Sequence, residues 1–246
     1  AQPDQQRCRF KKHIRYNKYS QRSEPVDSSA FIILGLGDSV INGGTLTDQD
    51  SLATTRLSKS LTQLLQRKVQ VLNISAGSWG PDNCEAYLKR YGAFNAKIAF
   101  LLCSSHDAHD NINHQSVVDV NPSFPSSQYH IAYWELLHRY LLPRLLRQKT
   151  PSEISKDGKS FNLGFQQLIN RFKVENIPFF IWLHPDRTEL VNENYNEEGT
   201  LIIDFCENNS IHCIKGLDYM DIQDYRDEIH VNEKGQKKIT KILPDY

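Results

Sequence analysis

Long apolar runs are missing from this sequence. Nowhere in its 246 residues does a stretch approach the roughly 20 consecutive apolar positions that cross a bilayer, so no integral membrane segment is expected in this chain. A surplus of charge is missing as well. The 29 basic and 29 acidic residues balance to a formal net charge of zero, which leaves no global field to draw the protein to nucleic acid or to an anionic membrane. Small neutral or polymeric substrates remain open as partners. No C-x-x-C pair occurs, and the five cysteines (Cys8, Cys84, Cys103, Cys206, Cys213) lack the spacing of a structural zinc site. Their odd number leaves at least one thiol unpaired. Cys206 and Cys213 could close a short disulfide in an oxidising compartment, and buried free thiols are the simpler expectation. Internal repeats and low-complexity tracts are absent too.

With 39% hydrophobic and 24% charged residues, the chain has the composition of one soluble domain with a sizeable core. Residues 1–29 are polar and basic, with Arg7, Arg9, Lys11, Lys12, Arg15, Lys18 and Arg22. They are expected to form an N-terminal tail, either a plain solvated one or a stalk behind a removed signal peptide or anchor. Export to the periplasm or the cell exterior is expected with it. The domain proper is expected over 30–246.

Five short runs rich in β-branched and aromatic residues, at 31–36, 69–74, 98–103, 179–183 and 211–214, read as strands. Between them lie stretches of helical spacing, at 51–66, 81–94, 129–146, 161–175, 197–208 and 233–243. In the first of these, Leu52, Leu57, Leu61, Leu64 and Leu65 are expected on the inner face. Near-continuous apolar strands alternating with helices predict a five-stranded parallel sheet covered on both faces, a three-layer α/β/α sandwich of the α/β class. Ligands in such sheets bind beyond the carboxyl ends of the strands. The long aperiodic segment 108–128 is expected to be a loop that gates that edge.

Gly37-Asp38-Ser39 follows the first strand directly. A serine there meets the amides of the following turn, which can stabilise an oxyanion, although a glycine-rich turn with Ser39 as a helix cap would look the same. Gly35-Leu36-Gly37 also begins a G-x-G pattern, but Val40 occupies the place of the third glycine, which argues against a dinucleotide fingerprint. No cofactor is expected. Near the other end, Asp227 and His230 are spaced so that one turn brings carboxylate to imidazole, as in a catalytic pair or a surface pair at a helix start.

Three blocks in this order, Gly37-Asp38-Ser39, Asn73-Ile74-Ser75-Ala76-Gly77 and Asp227-x-x-His230, resemble the SGNH (GDSL-type) hydrolase family, from Phe31 to Leu243. The resemblance implies a flavodoxin-like fold and ester hydrolysis through an acyl-enzyme, with acyl transfer to another hydroxyl as a variation. It makes Ser39 the nucleophile, His230 the base, Asp227 its orienting carboxylate and Gly77 an oxyanion donor. A small acyl group such as acetyl on a carbohydrate is the expected substrate. The third block departs from the family's G-x-N-D, because this chain has Ser104-Ser105-His106-Asp107. His106 then stands where the family places its asparagine donor, and Asn111 or Asn113 are alternatives.

Other readings follow from that departure. His106, Asp107, His109, Asp110 and His114 suit zinc or manganese, which would make a metal-dependent phosphoesterase. An O-acyltransferase with the same nucleophile and a non-catalytic glycan-binding relative are further alternatives. Trp79 reads as core packing or as a wall of the acyl pocket. His184 reads as a structural histidine or a substrate contact, and Tyr129, Tyr133 and Trp134 as core or lid packing.

Overall fold

The computed structural model describes residues 3–113, 126–127, 129–145, 155–158 and 160–245. The chain divides into two compact units, one made of Ala1–Asn111 with Lys159–Tyr246 and the other of Ile112–Gly158.

The larger unit opens with β1 (Gln5–Arg9) and β2 (Lys12–Tyr16), followed by β3 (Phe31–Gly37), α1 (Ser39–Asn42), α2 (Ala53–Leu65), β4 (Val69–Ser75), α3 (Pro81–Tyr91) and β5 (Ile98–Ser104). Next come β6 (Asn111–Asn113), α4 (Ala132–Leu136), α5 (Leu142–Leu145) and β7 (Ser155–Asp157). The larger unit resumes with α6 (Gly164–Val174), β8 (Phe179–His184), α7 (Arg187–Asn192), α8 (Glu197–Asn208), β9 (His212–Lys215) and α9 (Glu233–Ile242).

All five expected strands form one parallel sheet in the order β4-β3-β5-β8-β9. Alternate residues serve two cores. On one face Leu34, Leu36, Ile74, Leu101 and Ile181 pack with Phe165, Leu168 and Ile202. On the other, Ile33, Val71, Phe100, Leu102 and Trp182 pack with Leu57 and Ile239. This two-sided burial explains why the strands read as continuous apolar runs. The architecture is the expected three-layer α/β/α sandwich. In-register pairing of Gly37 with Ser75 and of Ser104 with His184 sets the strand ends along one edge.

Three expectations need correction. Residues 1–29 are not a solvated tail. Strands β1 and β2 pair antiparallel from Gln5↔Tyr16 to Arg9↔Lys12, and Ile14, Tyr16, Asn17, Gln21, Arg22 and Ser23 are buried. Asn17 and Arg22 donate to other parts of the chain and Ser23 Oγ accepts from Asn73 N, partners that composition does not reveal. Leu64 and Leu65 do not face the core, being 69% and 44% exposed. Thr62 Oγ1 already meets the amide of Val69, the first residue of β4, so the last turn of α2 overhangs the sheet. Finally, the expected helix over 129–146 is interrupted by a π turn at Leu137–Leu141. Pro143 has no amide hydrogen to donate one turn back, and the ladder widens before it. Tyr133 and Trp134 are exposed in that unit rather than packed in a core. The expected gating loop falls largely on residues 114–125 and 128, outside the described residues.

Among the described residues the cysteines are all free thiols. The Cys206 thiol is hydrogen-bonded to Cys213, and this contact together with burial pushes its pKa up.

Candidate active site

The end of β3 is shaped by Gly37, whose φ of 153° lies outside the range open to L side chains. Asp38 follows as the N-cap of α1, its Oδ1 accepting from Val40 N at 2.8 Å. Ser39 therefore opens a single helical turn, closed by the left-handed Gly43 donating its amide to Ser39 O at 3.0 Å.

The chain returns to this point 191 positions later, where His230 Nε2 lies 2.9 Å from Ser39 Oγ. On the other side of the ring, Nδ1 is 2.9 and 3.0 Å from the two Asp227 oxygens. Asp227 also accepts from the amides of His230 at 2.8 Å and Ile229 at 3.1 Å. Partial burial alone would raise its pKa, but these amides and the imidazole outweigh it and hold the carboxyl below the usual range. A carboxylate facing Nδ1 places the ring proton there, leaving Nε2 to accept from the serine hydroxyl.

This turn is anchored from below by His184, at the end of β8. Its Nε2 contacts the Ile229 carbonyl at 2.9 Å, and its ring stacks on Tyr225 at 5.2 Å. Because a carbonyl only accepts, the His184 proton sits on Nε2. Complete burial pushes its pKa down to about 4, so the ring is neutral. His184 thus supports the turn of the base and does not face a substrate. Trp79 packs on Tyr87 at 5.9 Å between ring centres, the core-packing alternative.

The neutral His184 carries a pH signature. The unfolded ring binds a proton below about 6.5 while the folded ring waits until about 4, so this residue makes the fold more stable as pH rises through that window. Asp38 works in the opposite direction. Burial, then the neighbouring Asp107 charge, push its carboxyl up, so its contribution weakens as pH rises. His184→Phe is expected to remove the first contribution and to make the slope of Tm against pH between 4 and 6.5 more negative. An unchanged slope would contradict the neutral buried ring.

Gly77 lies just beyond β4, where a Cβ would meet nothing within 4 Å. His106 is half-exposed beyond β5, with Nε2 3.9 Å from Asp110 Oδ2 and 4.0 Å from Asp107 Oδ1. Asn111 is turned elsewhere, its amide donating to Ser160 O at 2.5 Å. His114 and the side chain of Asn113 lie outside the described residues. Among the described residues, one group is close enough to hold a metal ion: Asp38, His106 and Asp107, whose donor atoms all lie within 4.8 Å of one another. Asp38 was not part of the expected cluster. The meeting of the β3 and β5 ends creates the group, and no local spacing signals it.

A second layer joins the nucleophile's turn to β4. Asn73 Nδ2 donates to Ile41 O at 2.8 Å, and Asn42 Nδ2 donates to Ser75 O at 3.0 Å. Sequence reading missed both asparagines' targets, which lie 32 and 33 positions away.

No protein-family model and no curated protein matches the sequence. Solved structures do match. TesA aligns over 87% of this chain and 96% of its own, at 11% identity and a TM-score of 0.51. A two-domain esterase active on acetylated mannans, CEX, aligns over 88% of this chain and 48% of its own, at 9% identity and a TM-score of 0.55. A member of the lipolytic protein G-D-S-L family from Veillonella parvula aligns over 88% of this chain and 97% of its own, at 12% identity and a TM-score of 0.46. What this chain shares with TesA and CEX is the fold.

Proposed function

We propose that the protein is a serine-dependent carboxylic-ester hydrolase that removes a small acyl group, such as acetyl, from a carbohydrate or similar ester. The observation that carries this reading is the relay Ser39 Oγ, His230 Nε2, His230 Nδ1 and Asp227, with contacts of 2.9 Å at each step. His230 takes the hydroxyl proton as Ser39 attacks the ester carbonyl. Asp227 keeps the ring oriented and stabilises the imidazolium. The amides of Ser39 and Gly77 are the proposed oxyanion donors, with His106 as the third. His230 then returns its proton to the departing alcohol, and water activated by the same ring releases the acyl group. An acceptor hydroxyl in place of that water would make the chemistry a transfer. Support for a carbohydrate ester comes from CEX, a protein of similar fold that is active on acetylated mannans.

The test is covalent labelling by a fluorophosphonate, mapped by peptide mass, alongside turnover of p-nitrophenyl acetate. Labelling at Ser39 with parallel loss of turnover is the expected result. Turnover that survives complete labelling of Ser39 would overturn the reading.

A further inference from the structure

The N-terminal segment contributes a side chain to the surroundings of Ser39 that none of the family-like blocks contains. We propose that Arg22 is a positioning residue that holds the two segments carrying the proposed oxyanion amides in one fixed arrangement; this rests on the ester-hydrolase reading. Its main chain and its side chain bind different segments, and the two together carry the inference.

The main chain lies along β4, the strand that leads to Gly77. Arg22 N donates to Asn73 O at 3.0 Å, and Asn73 N donates to Ser23 Oγ at 2.7 Å. The side chain crosses to the segment that leaves Ser39. Its Nη1 donates to Asn42 O at 3.0 Å and also to Gly44 O, and its Nη2 donates to Thr47 O at 2.7 Å. Nε completes the set with Gln49 Oε1 at 3.2 Å, and Gln49 Nε2 returns a hydrogen bond to Arg22 O, also at 3.2 Å. The whole residue is 0% exposed.

Three features separate this arrangement from an ordinary buried ion pair. None of the four guanidinium acceptors is a carboxylate. Three are main-chain carbonyls, so the geometry being fixed is that of the backbone. All lie within eight positions of Asn42, the last residue of α1. A helix of four residues has no stability of its own, because nucleation costs more than one turn of hydrogen bonds returns. Its shape has to come from outside, and the fork of donors on Arg22 supplies it. Asn42 then passes the constraint on, its side chain donating to Ser75 O, two residues before Gly77.

Oxyanion donors act only when they stand about 2.7–3.1 Å from the developing charge, and a shift of about 1 Å costs on the order of 100-fold. Lysine has a single ammonium and cannot serve four acceptors spread in a plane. Arg22→Lys and Arg22→Ala are therefore expected to lower kcat for p-nitrophenyl acetate about 30- to 100-fold, with KM changed less than about threefold. The rate of fluorophosphonate attachment to Ser39 should fall in parallel. Added methylguanidinium should restore part of the Arg22→Ala activity. Arg15→Ala, which removes only an exposed pair with Glu24, should match the wild type.

Near-ultraviolet circular dichroism checks that each variant is folded, and if Arg22→Ala is not, the lysine variant carries the test. A folded lysine variant labelled at the wild-type rate would overturn the role of Arg22 while leaving the hydrolase reading intact. So would a rise in KM with kcat preserved. A wild-type protein that is not labelled at Ser39 would overturn both, through the hydrolase reading itself.

Discussion

Ser39→Ala is expected to lower kcat for p-nitrophenyl acetate by about 10⁴-fold or more while leaving the fold intact. Among the described residues the hydroxyl has one hydrogen bond, with His230 Nε2, and a methyl group is smaller than the group it replaces at the start of α1. The imidazole beside the missing hydroxyl could still activate a water, and such a residue of activity is the reason the loss is finite. Asp227→Asn is the informative companion. An amide at that position no longer requires the ring proton to sit on Nδ1, so Nε2 can be protonated and unable to accept from Ser39. A loss of about 10⁴-fold with an unchanged Tm would separate tautomer control from stability. Turnover of Ser39→Ala at even a tenth of the wild-type rate would remove Ser39 from the mechanism.

A large effect on folding is expected from Gly37→Ala. An added Cβ would stand 2.4 Å from the Leu102 carbonyl oxygen of the neighbouring strand, and the backbone φ of 153° is strained for any L side chain. Neither partner can give way, because Leu102 lies in the middle of the sheet and is itself paired with Gly37. A loss of roughly 3–4 kcal/mol is expected, measured by urea unfolding, with activity falling further than the unfolded fraction explains. Gly77→Ala is the contrast. Its Cβ would enter open space, so stability should change by less than about 1 kcal/mol. If the two variants unfold at the same urea concentration, the close approach of β3 and β5 is not what demands glycine at 37.

The strands were legible because burial on both faces leaves a continuous apolar signature in each of β3, β4, β5 and β8. The meeting of Ser39 with Asp227 and His230 was legible through residue type and chain order, since each block falls at a strand end or helix start. Burial that depends on distant parts of the chain was not legible. Arg22 reads as one more surface cation until Asn42, Gly44 and Thr47 present their carbonyls to it. Asp107 reads as a possible metal ligand with its neighbours His106, His109 and Asp110, and Asp38 joins it only because the ends of β3 and β5 meet beside His106. Leu64 and Leu65 satisfy the helical period and still face water, because the period does not say where the sheet begins.

The pairing of residues 22 and 23 with β4 has a consequence for self-association. As the first strand in the order β4-β3-β5-β8-β9, β4 lies at the edge of the sheet, where unpaired amides and carbonyls can template another strand. The opposite edge is protected differently, since β9 has only four residues and includes His212 and Lys215. At β4 the protection comes from the chain's own beginning, which occupies the amide and carbonyl of Asn73. Proteolytic loss of the first 23 residues would therefore leave that edge unpaired and direct the remainder toward strand-to-strand aggregation.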